Sequence, residues 1–157
     1  MTIATLERSA PSHQASQGVT REFTPAQAHE LLRTKFAPWV QELDLRVEEC
    51  SFAGARLRLP YSPTLTRAGR TICGQALMAC ADSAMAIAIA SAFGEFRNVT
   101  TVNQSMSFMR AVANADVLID AIVQKLGKSL VFGEVYFTTS GSDDIAAHAT
   151  ATWALIP

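Results

Sequence analysis

Hydrophobic positions along this chain fall into one long continuous run and several short alternating runs. The run Gly74–Phe93 is apolar on nearly every side, which is typical of a helix buried in a core. From Leu43 to Glu49, and again from Ala55 to Leu59, hydrophobic residues alternate with charged ones. That alternation predicts two strands, each with one face toward solvent.

A first, shorter helix is predicted from Pro25 to about Lys35. Thr24 can cap its first turn, and Pro25 suits the first helical position. Leu31 and Leu32 belong to one apolar face, and Pro38 stops the helix.

Four further strand-like runs follow the long helix, and turn residues separate them. They cover about Asn98–Arg110, Val117–Gln124, Leu130–Thr139 and Ile145–Leu155. Alanines occupy one face of the last run, which leaves room for a bulky element to lie across the sheet, and the long helix is the candidate. The order of helix, two strands, long helix and four strands predicts an α+β fold with a mainly antiparallel sheet.

Composition narrows the class of protein. The chain has 157 residues, 49% of them hydrophobic and 17% charged, which favours one globular domain over a disordered chain. We expect that domain to cover residues 21–157, after a flexible polar tail over residues 1–20 that lacks the apolar stretch of a secretory signal. A net charge of −1 without a basic block argues against a nucleic-acid partner. Three cysteines without metal-type spacing predict reduced thiols, no metal site and a cytoplasmic location.

The Gly74–Phe93 run is also long enough to span a bilayer. Asp82 lies near its middle, Ser83 and Ser91 dilute its hydrophobicity, and strand-like segments follow it. A charge at the centre of a membrane helix is costly. The pattern therefore favours a buried core helix, and no membrane partner is expected.

The candidate chemistry lies on this same helix. Asp82 is its only ionisable carboxylate, and a carboxylate among apolar residues is costly unless it is paired, hydrogen-bonded or used in a reaction. Gly74 begins the helix, and the free N–H groups of the first turn suit a carbonyl oxygen or an anion. An acid and an oxyanion donor on one buried helix predict a site for acyl transfer or hydration.

Four short motifs follow in a fixed order along residues 40–155. They are Cys73-Gly74-Gln75, Cys80-Ala81-Asp82, the strand Thr101–Arg110 with its Ser-Phe-Met-Arg end, and Gly127-Lys128-Ser129-Leu130. With the order of elements, they resemble the hotdog-fold acyl-CoA thioesterases of the phenylacetate-degradation (PaaI-like) type. In that family His-Gly-Gly opens the helix, Leu-Ala-Asp follows about two turns later, and Phe-Leu-Arg-Pro and Gly-Lys-Ser/Thr follow downstream.

The resemblance implies a curved antiparallel sheet wrapped around a central helix, and hydrolysis of an acyl-coenzyme A. Coenzyme A is then part of the substrate, and no separate cofactor is expected. The N–H of Gly74 would polarise the thioester carbonyl, and Asp82 would activate water or attack directly. The working unit would be a homodimer or a tetramer. The candidate substrate-binding residues are Arg67, Cys73, Gln75, Thr101, Arg110 and Lys128.

Two positions depart from the family pattern. Arg67 stands where the family has an Asn, seven residues before the glycine, and Cys73 stands where it has a His. These departures leave a non-catalytic acyl-CoA binder open as an alternative. A hydratase or dehydratase of the same fold is the other, although it would need an Asp-His pair and no His closely follows Asp82. A Cys73–His mechanism would need His148, the one histidine on a core element. Met78, Met85, Met106 and Met109 are predicted to fill the core.

Overall fold

The computed structural model describes residues 22–157, so the expected tail over 1–20 lies outside the described residues. Its helices are α1 (Pro25–Lys35), α2 (Pro38–Gln41) and α3 (Gly74–Phe93). Its strands are β1 (Arg46–Ser51), β2 (Gly54–Leu59), β3 (Thr66–Arg67), β4 (Thr71–Ile72), β5 (Val99–Phe108), β6 (Val117–Leu126), β7 (Leu130–Thr139) and β8 (Ile145–Leu155). The predicted bounds of α1, α3, β7 and β8 match those of the structure.

Six strands form one antiparallel sheet in the order β1-β2-β6-β7-β8-β5, and this sheet wraps around α3. Alternate residues of β6 and β8 are buried against the helix side, among them Ile119, Ala149 and Trp153. Hydrophobic burial on that one face supplies the driving force for the wrapping. The α+β prediction of an antiparallel sheet around one long helix is confirmed.

Helix α3 forms the centre of the core. Among residues 22–157 it is the one helix long and apolar enough to cross a membrane. In its most apolar stretch of 18 residues, 72% is buried inside the fold. It ends at Gly94, whose φ of 70° is the left-handed conformation that glycine adopts readily. Met85 packs against Gly133 of β7, where a side chain would clash with the Met85 methyl group. The burial of α3 agrees with the predicted core helix.

The segment before α3 contains more structure than hydrophobic patterning indicates. It holds a short 3-10 turn, Pro63–Leu65, and the two-residue strands β3 and β4. Cys73 N donates to Leu65 O at 2.9 Å, so the 3-10 turn fixes the point at which α3 begins. Strands of two residues carry no periodicity, which is why hydrophobic patterning did not reveal them.

Candidate active site

Asp82 lies on the part of α3 that the sheet leaves open. It is half-buried, and Oδ1 accepts a hydrogen bond from Thr101 Oγ1 at 2.6 Å. The apolar core therefore does not enclose this carboxylate. Solvent access and the hydroxyl donor both lower the cost of keeping the carboxylate charged. One carboxylate oxygen is held by Thr101, and the second oxygen makes no hydrogen bond with another residue of the described 22–157.

A β-bulge in β5 aims Thr101 at Asp82. Gln104 pairs with Ala151 and Thr101 pairs with Trp153, both on the helix side of the sheet, with a register shift between Thr101 and Asn103. Positions 101 and 104 are three apart, and an unbroken strand would place them on opposite faces. The bulge removes that conflict and turns the Thr101 hydroxyl toward α3.

Gly74 lies at the N-terminus of α3 beneath the Phe108 ring. A Cβ added at Gly74 would come 3.1 Å from Phe108 Cζ, so the close approach of this ring favours glycine. No side chain caps the helix, because Cys73 at the N-cap makes no capping hydrogen bond. The first-turn N–H groups therefore remain available to a negatively charged or carbonyl oxygen.

A cleft of about 360 Å³ opens beside Gly74, and Arg67, Phe108 and Arg110 line it. Arg67 is exposed and forms no ion pair with any residue of 22–157. Arg110 donates through Nη1 to Ile145 O at 2.8 Å, and its Nη2 lies 3.7 Å from Asp144. The structure thus brings two of the candidate binding residues to the Gly74 end of the helix, where they make the cleft cationic.

Of the remaining candidates, two adjoin Gly74 without lining the cleft, and the third, Lys128, lies far from it. Gln75 is exposed on the first turn of α3, and Cys73 is half-buried at its N-cap. Lys128 lies in the turn between β6 and β7, at the end of the sheet where β5 begins, whereas Gly74 meets the end of β5 at Phe108. Within one chain, Lys128 therefore stands at the far end of the sheet from the cationic cleft.

The histidines and cysteines of the described chain form no dyad. His148 lies on the outer face of the sheet, with its ring centroid 4.6 Å from that of Tyr136, while Cys73 lies at the helix. His29 Nε2 accepts from Val47 N at 3.2 Å. Burial raises the pKa of the Cys80 thiol to about 12, which leaves that thiol protonated and unreactive. Among residues 22–157, no group of three or more His, Cys, Asp or Glu side chains is placed to hold a metal ion.

Sequence patterning missed two features of the exposed helix face. Gln104 Nε2 donates to Met78 O at 3.0 Å, which ties β5 to α3 one turn before Asp82. The sequence signal for this contact was Gln104 itself, a polar residue at a position of β5 that faces the helix. Met78 and Met109 are 42% and 51% exposed, so the prediction that they fill the core is wrong, whereas Met85 is fully buried as expected.

The chain is similar to known proteins in sequence and in fold. A family model described as the thioesterase superfamily matches residues 66–146. A curated protein of Thermoplasma acidophilum, provisionally named an esterase, is 23% identical over 97 residues, which is 62% of this chain and 73% of that protein. A solved structure from Silicibacter sp. TM1040, provisionally named a thioesterase, is 25% identical with a TM-score of 0.78, covering 90% of this chain and 97% of that one.

The PaaI protein of E. coli, from the phenylacetic acid degradation operon, is also similar. It is 16% identical with a TM-score of 0.72, covering 83% of this chain and 91% of that one. At this identity the likeness shows a shared fold. The antiparallel sheet around one long helix is thus the hotdog fold that the motifs led us to expect.

Proposed function

Because the chain belongs to the thioesterase superfamily, we propose that it hydrolyses the thioester of an acyl-coenzyme A with Asp82 as base or nucleophile. The observation that carries the proposal is the 2.6 Å hydrogen bond from Thr101 Oγ1 to Asp82 Oδ1 on the open face of α3. A carboxylate held through one oxygen keeps the other free for a water molecule or a carbonyl carbon. PaaI-like character is the finer form of this proposal, supported by the motif order and the shared fold.

The proposed reaction divides the work between two groups. The Gly74 N–H stabilises the oxyanion that develops on the thioester carbonyl. Asp82 either takes a proton from the attacking water, or attacks the carbonyl carbon and forms an anhydride that water then opens. In both routes the coenzyme A thiolate leaves and the free acid is the other product.

We also propose that each site is built from two copies of the chain. Gly74 and Asp82 are eight residues apart, which corresponds to about 12 Å along the helix axis. Reacting atoms must approach to about 3–3.5 Å. A two-fold pair of antiparallel helices brings Gly74 of one copy near Asp82 of the other. Strand β5 pairs with β8 along one edge, and no strand of the described chain pairs with its other edge, where Val102 is 59% exposed. That free edge is open to a second copy, which supports this arrangement.

The cationic cleft would receive the anionic part of the substrate. Arg67 and Arg110 line it together with Gly74, and guanidinium groups bind phosphates and carboxylates through paired hydrogen bonds. Arg67 has no competing ion-pair partner in the described chain, so its charge remains available. Arg67 would thus contact a coenzyme A phosphate or an acidic acyl group.

A hydratase is a weaker candidate, because neither described histidine accompanies Asp82. His29 packs against β1 and His148 faces away from the helix. A steady-state assay against a panel of acyl-CoAs, with binding of the same compounds measured in parallel, separates the possibilities. Release of free coenzyme A supports the thioesterase, binding without turnover supports a non-catalytic binder, and hydration of an enoyl-CoA supports the hydratase.

A further inference from the structure

A histidine of helix α1 covers part of the outer edge of the sheet. His29 Nε2 accepts a hydrogen bond from Val47 N of β1 at 3.2 Å. Strand β1 is the last strand of the sheet on its side, so N–H groups that point away from β2 have no strand partner among the described residues. The imidazole thus supplies the acceptor that a further strand would otherwise provide. We call this contact the His29 latch.

The latch requires a neutral imidazole. A ring that accepts at Nε2 carries its one proton on Nδ1, whereas a protonated ring carries an N–H on both nitrogens. The added proton of His29 would point at the N–H of Val47, so that one donor faces another. Histidine side chains change charge in the range of about pH 5 to 8. The hydrogen bond is therefore made at neutral and higher pH and is lost as the pH falls.

Among the described residues, the charged groups around His29 do not replace the lost contact. Arg33 of α1 and Asp44 of the turn before β1 line the cavity beside His29, and their opposite charges act on the ring in opposite directions. Helix α2 lines the same cavity and carries no charged residue. On β1, Glu49 lies past a bulge and borders Arg56 on the outer face of the sheet. The other charges nearby are held in the ion pairs Arg33–Glu30, Asp44–Arg46 and Glu48–Arg58.

Apolar burial holds α1 in place at every pH. Ala28, Leu31 and Leu32 are buried on its inner face, and α1 packs against β1. His29 adds the part of this docking that depends on a proton. Acid should therefore loosen α1 at the sheet edge without unfolding it.

Helix α1 also borders the candidate active site. Leu31 and Phe36 line a cavity of about 230 Å³ together with Ala86 of α3. Ala86 follows Asp82 by four residues and so lies on the same face of α3, one turn further on. A change in the position of α1 therefore changes the surroundings of the carboxylate.

We propose that His29 is a pH-sensitive switch, engaged when neutral and released when protonated, that sets how firmly α1 is held against β1 and beside the candidate site. It lies before residues 66–146, the stretch that matches the thioesterase superfamily, and it goes beyond the proposed hydrolysis. A net hydrogen bond shifts an equilibrium by roughly two- to tenfold, so the response to pH is graded.

Amide hydrogen exchange measured by NMR tests the latch directly. Between about pH 7.5 and pH 5.5, the protection factor of the Val47 amide, which corrects for the intrinsic exchange rate, should fall by roughly two- to tenfold. His29→Gln places an amide oxygen where Nε2 was, and this oxygen does not titrate, so the protection factor should be independent of pH. His148→Gln is the matched control and should keep the pH dependence of the parent. An unchanged protection factor in the parent, or the same fall in His29→Gln, would overturn the proposal.

Kinetics test the link between the latch and the site. On the best acyl-CoA, kcat/KM should fall more between about pH 7.5 and pH 5.5 in the parent than in His29→Gln, because acid loosens α1 in the parent alone. The other titrating groups are the same in both proteins, so the difference isolates His29. Equal falls would overturn the link to the site. A pH-dependent Val47 amide in a chain that hydrolyses no acyl-CoA would refute the thioesterase and support the latch.

Discussion

Thr101 Oγ1 donates a 2.6 Å hydrogen bond to Asp82 Oδ1, so an edge strand of the sheet holds the one carboxylate of the central helix. The hydroxyl fixes the direction of the carboxylate, and its second oxygen stays open to a reactant. Strand β5 also carries Gln104 and Phe108, which contact the helix at Met78 and lie close over Gly74. One strand therefore positions both ends of the proposed site.

Asp82→Ala should lose turnover while the protein stays folded. Removing a general base or a nucleophile lowers kcat by on the order of a hundredfold or more. The measurement is kcat on the best acyl-CoA, with circular dichroism as the check on folding. Asp82→Asn keeps the size of the side chain and should be similarly inactive. Near-parent kcat in both variants would make Asp82 a structural residue.

Thr101→Val should lower kcat through loss of the hydroxyl donor. A hydrogen bond to a charged group contributes roughly 1.5–3 kcal/mol, and since Thr101 is exposed we expect the lower end, about tenfold in kcat. Thr101→Ser retains the donor and should recover most of the activity. If the valine and serine variants lose activity equally, the hydrogen bond does not position Asp82.

Arg67→Asn should change which substrates are used. Arg67 lines the cleft beside Gly74, and its fork of donors suits anionic groups. If Arg67 contacts an acidic acyl group, we expect kcat/KM to be kept or improved on plain acyl-CoAs and lowered on acyl groups that carry a carboxylate; if it contacts a coenzyme A phosphate, kcat/KM falls on both. The check is the ratio for succinyl-CoA over butyryl-CoA in variant and parent. An unchanged ratio would place Arg67 outside the acyl-binding part of the site.

Mixed dimers test whether each site uses two chains. Gly74→Pro removes the N–H and brings a side chain into the Phe108 ring, while proline itself is tolerated at a first helical position. Mixing it with Asp82→Ala should restore up to about a quarter of the parent activity. Half of the dimers are mixed under random exchange, and each mixed dimer has one intact site of two. Each variant alone, incubated in the same way, is the control.

The outcome depends on showing that exchange took place. Native mass spectrometry of differently tagged chains measures the fraction of mixed dimers. Recovered activity in proportion to that fraction supports the shared site. Mixed dimers without activity would mean that each chain carries its own complete site.

Gly133→Ala should destabilise the fold. A Cβ there would clash with Met85 and come 2.8 Å from Ile122 O, and a backbone oxygen cannot move away cheaply. Overpacking of this kind costs about 1–3 kcal/mol in the free energy of unfolding. Urea denaturation measures it. In the Met85→Ala background, Gly133→Ala should cost less free energy of unfolding, because the clash with Met85 is gone. Part of the cost should remain, because the close approach to Ile122 O is unchanged. Additive effects of the two changes would show that the two positions do not touch.

Much of the scaffold was predictable from the sequence. The bounds of α3 and β8 follow from continuous local patterns, an apolar run for the helix and alternating alanines for the strand. Asp82 was conspicuous because a single charge among apolar residues must have a partner or a use. The family motifs added the fold and included Thr101 among the candidate site residues.

The tertiary structure decided how the parts meet. The bulge after Thr101 turns its hydroxyl to the helix, and a bulge leaves no periodic signal among polar residues. Arg110 lines the cleft and Lys128 does not, because the two residues lie at opposite ends of the sheet. Local patterns encode helices and strands because these depend on neighbours in the chain. The contact between Thr101 and Asp82 joins segments that are distant in sequence, and only packing brings them together.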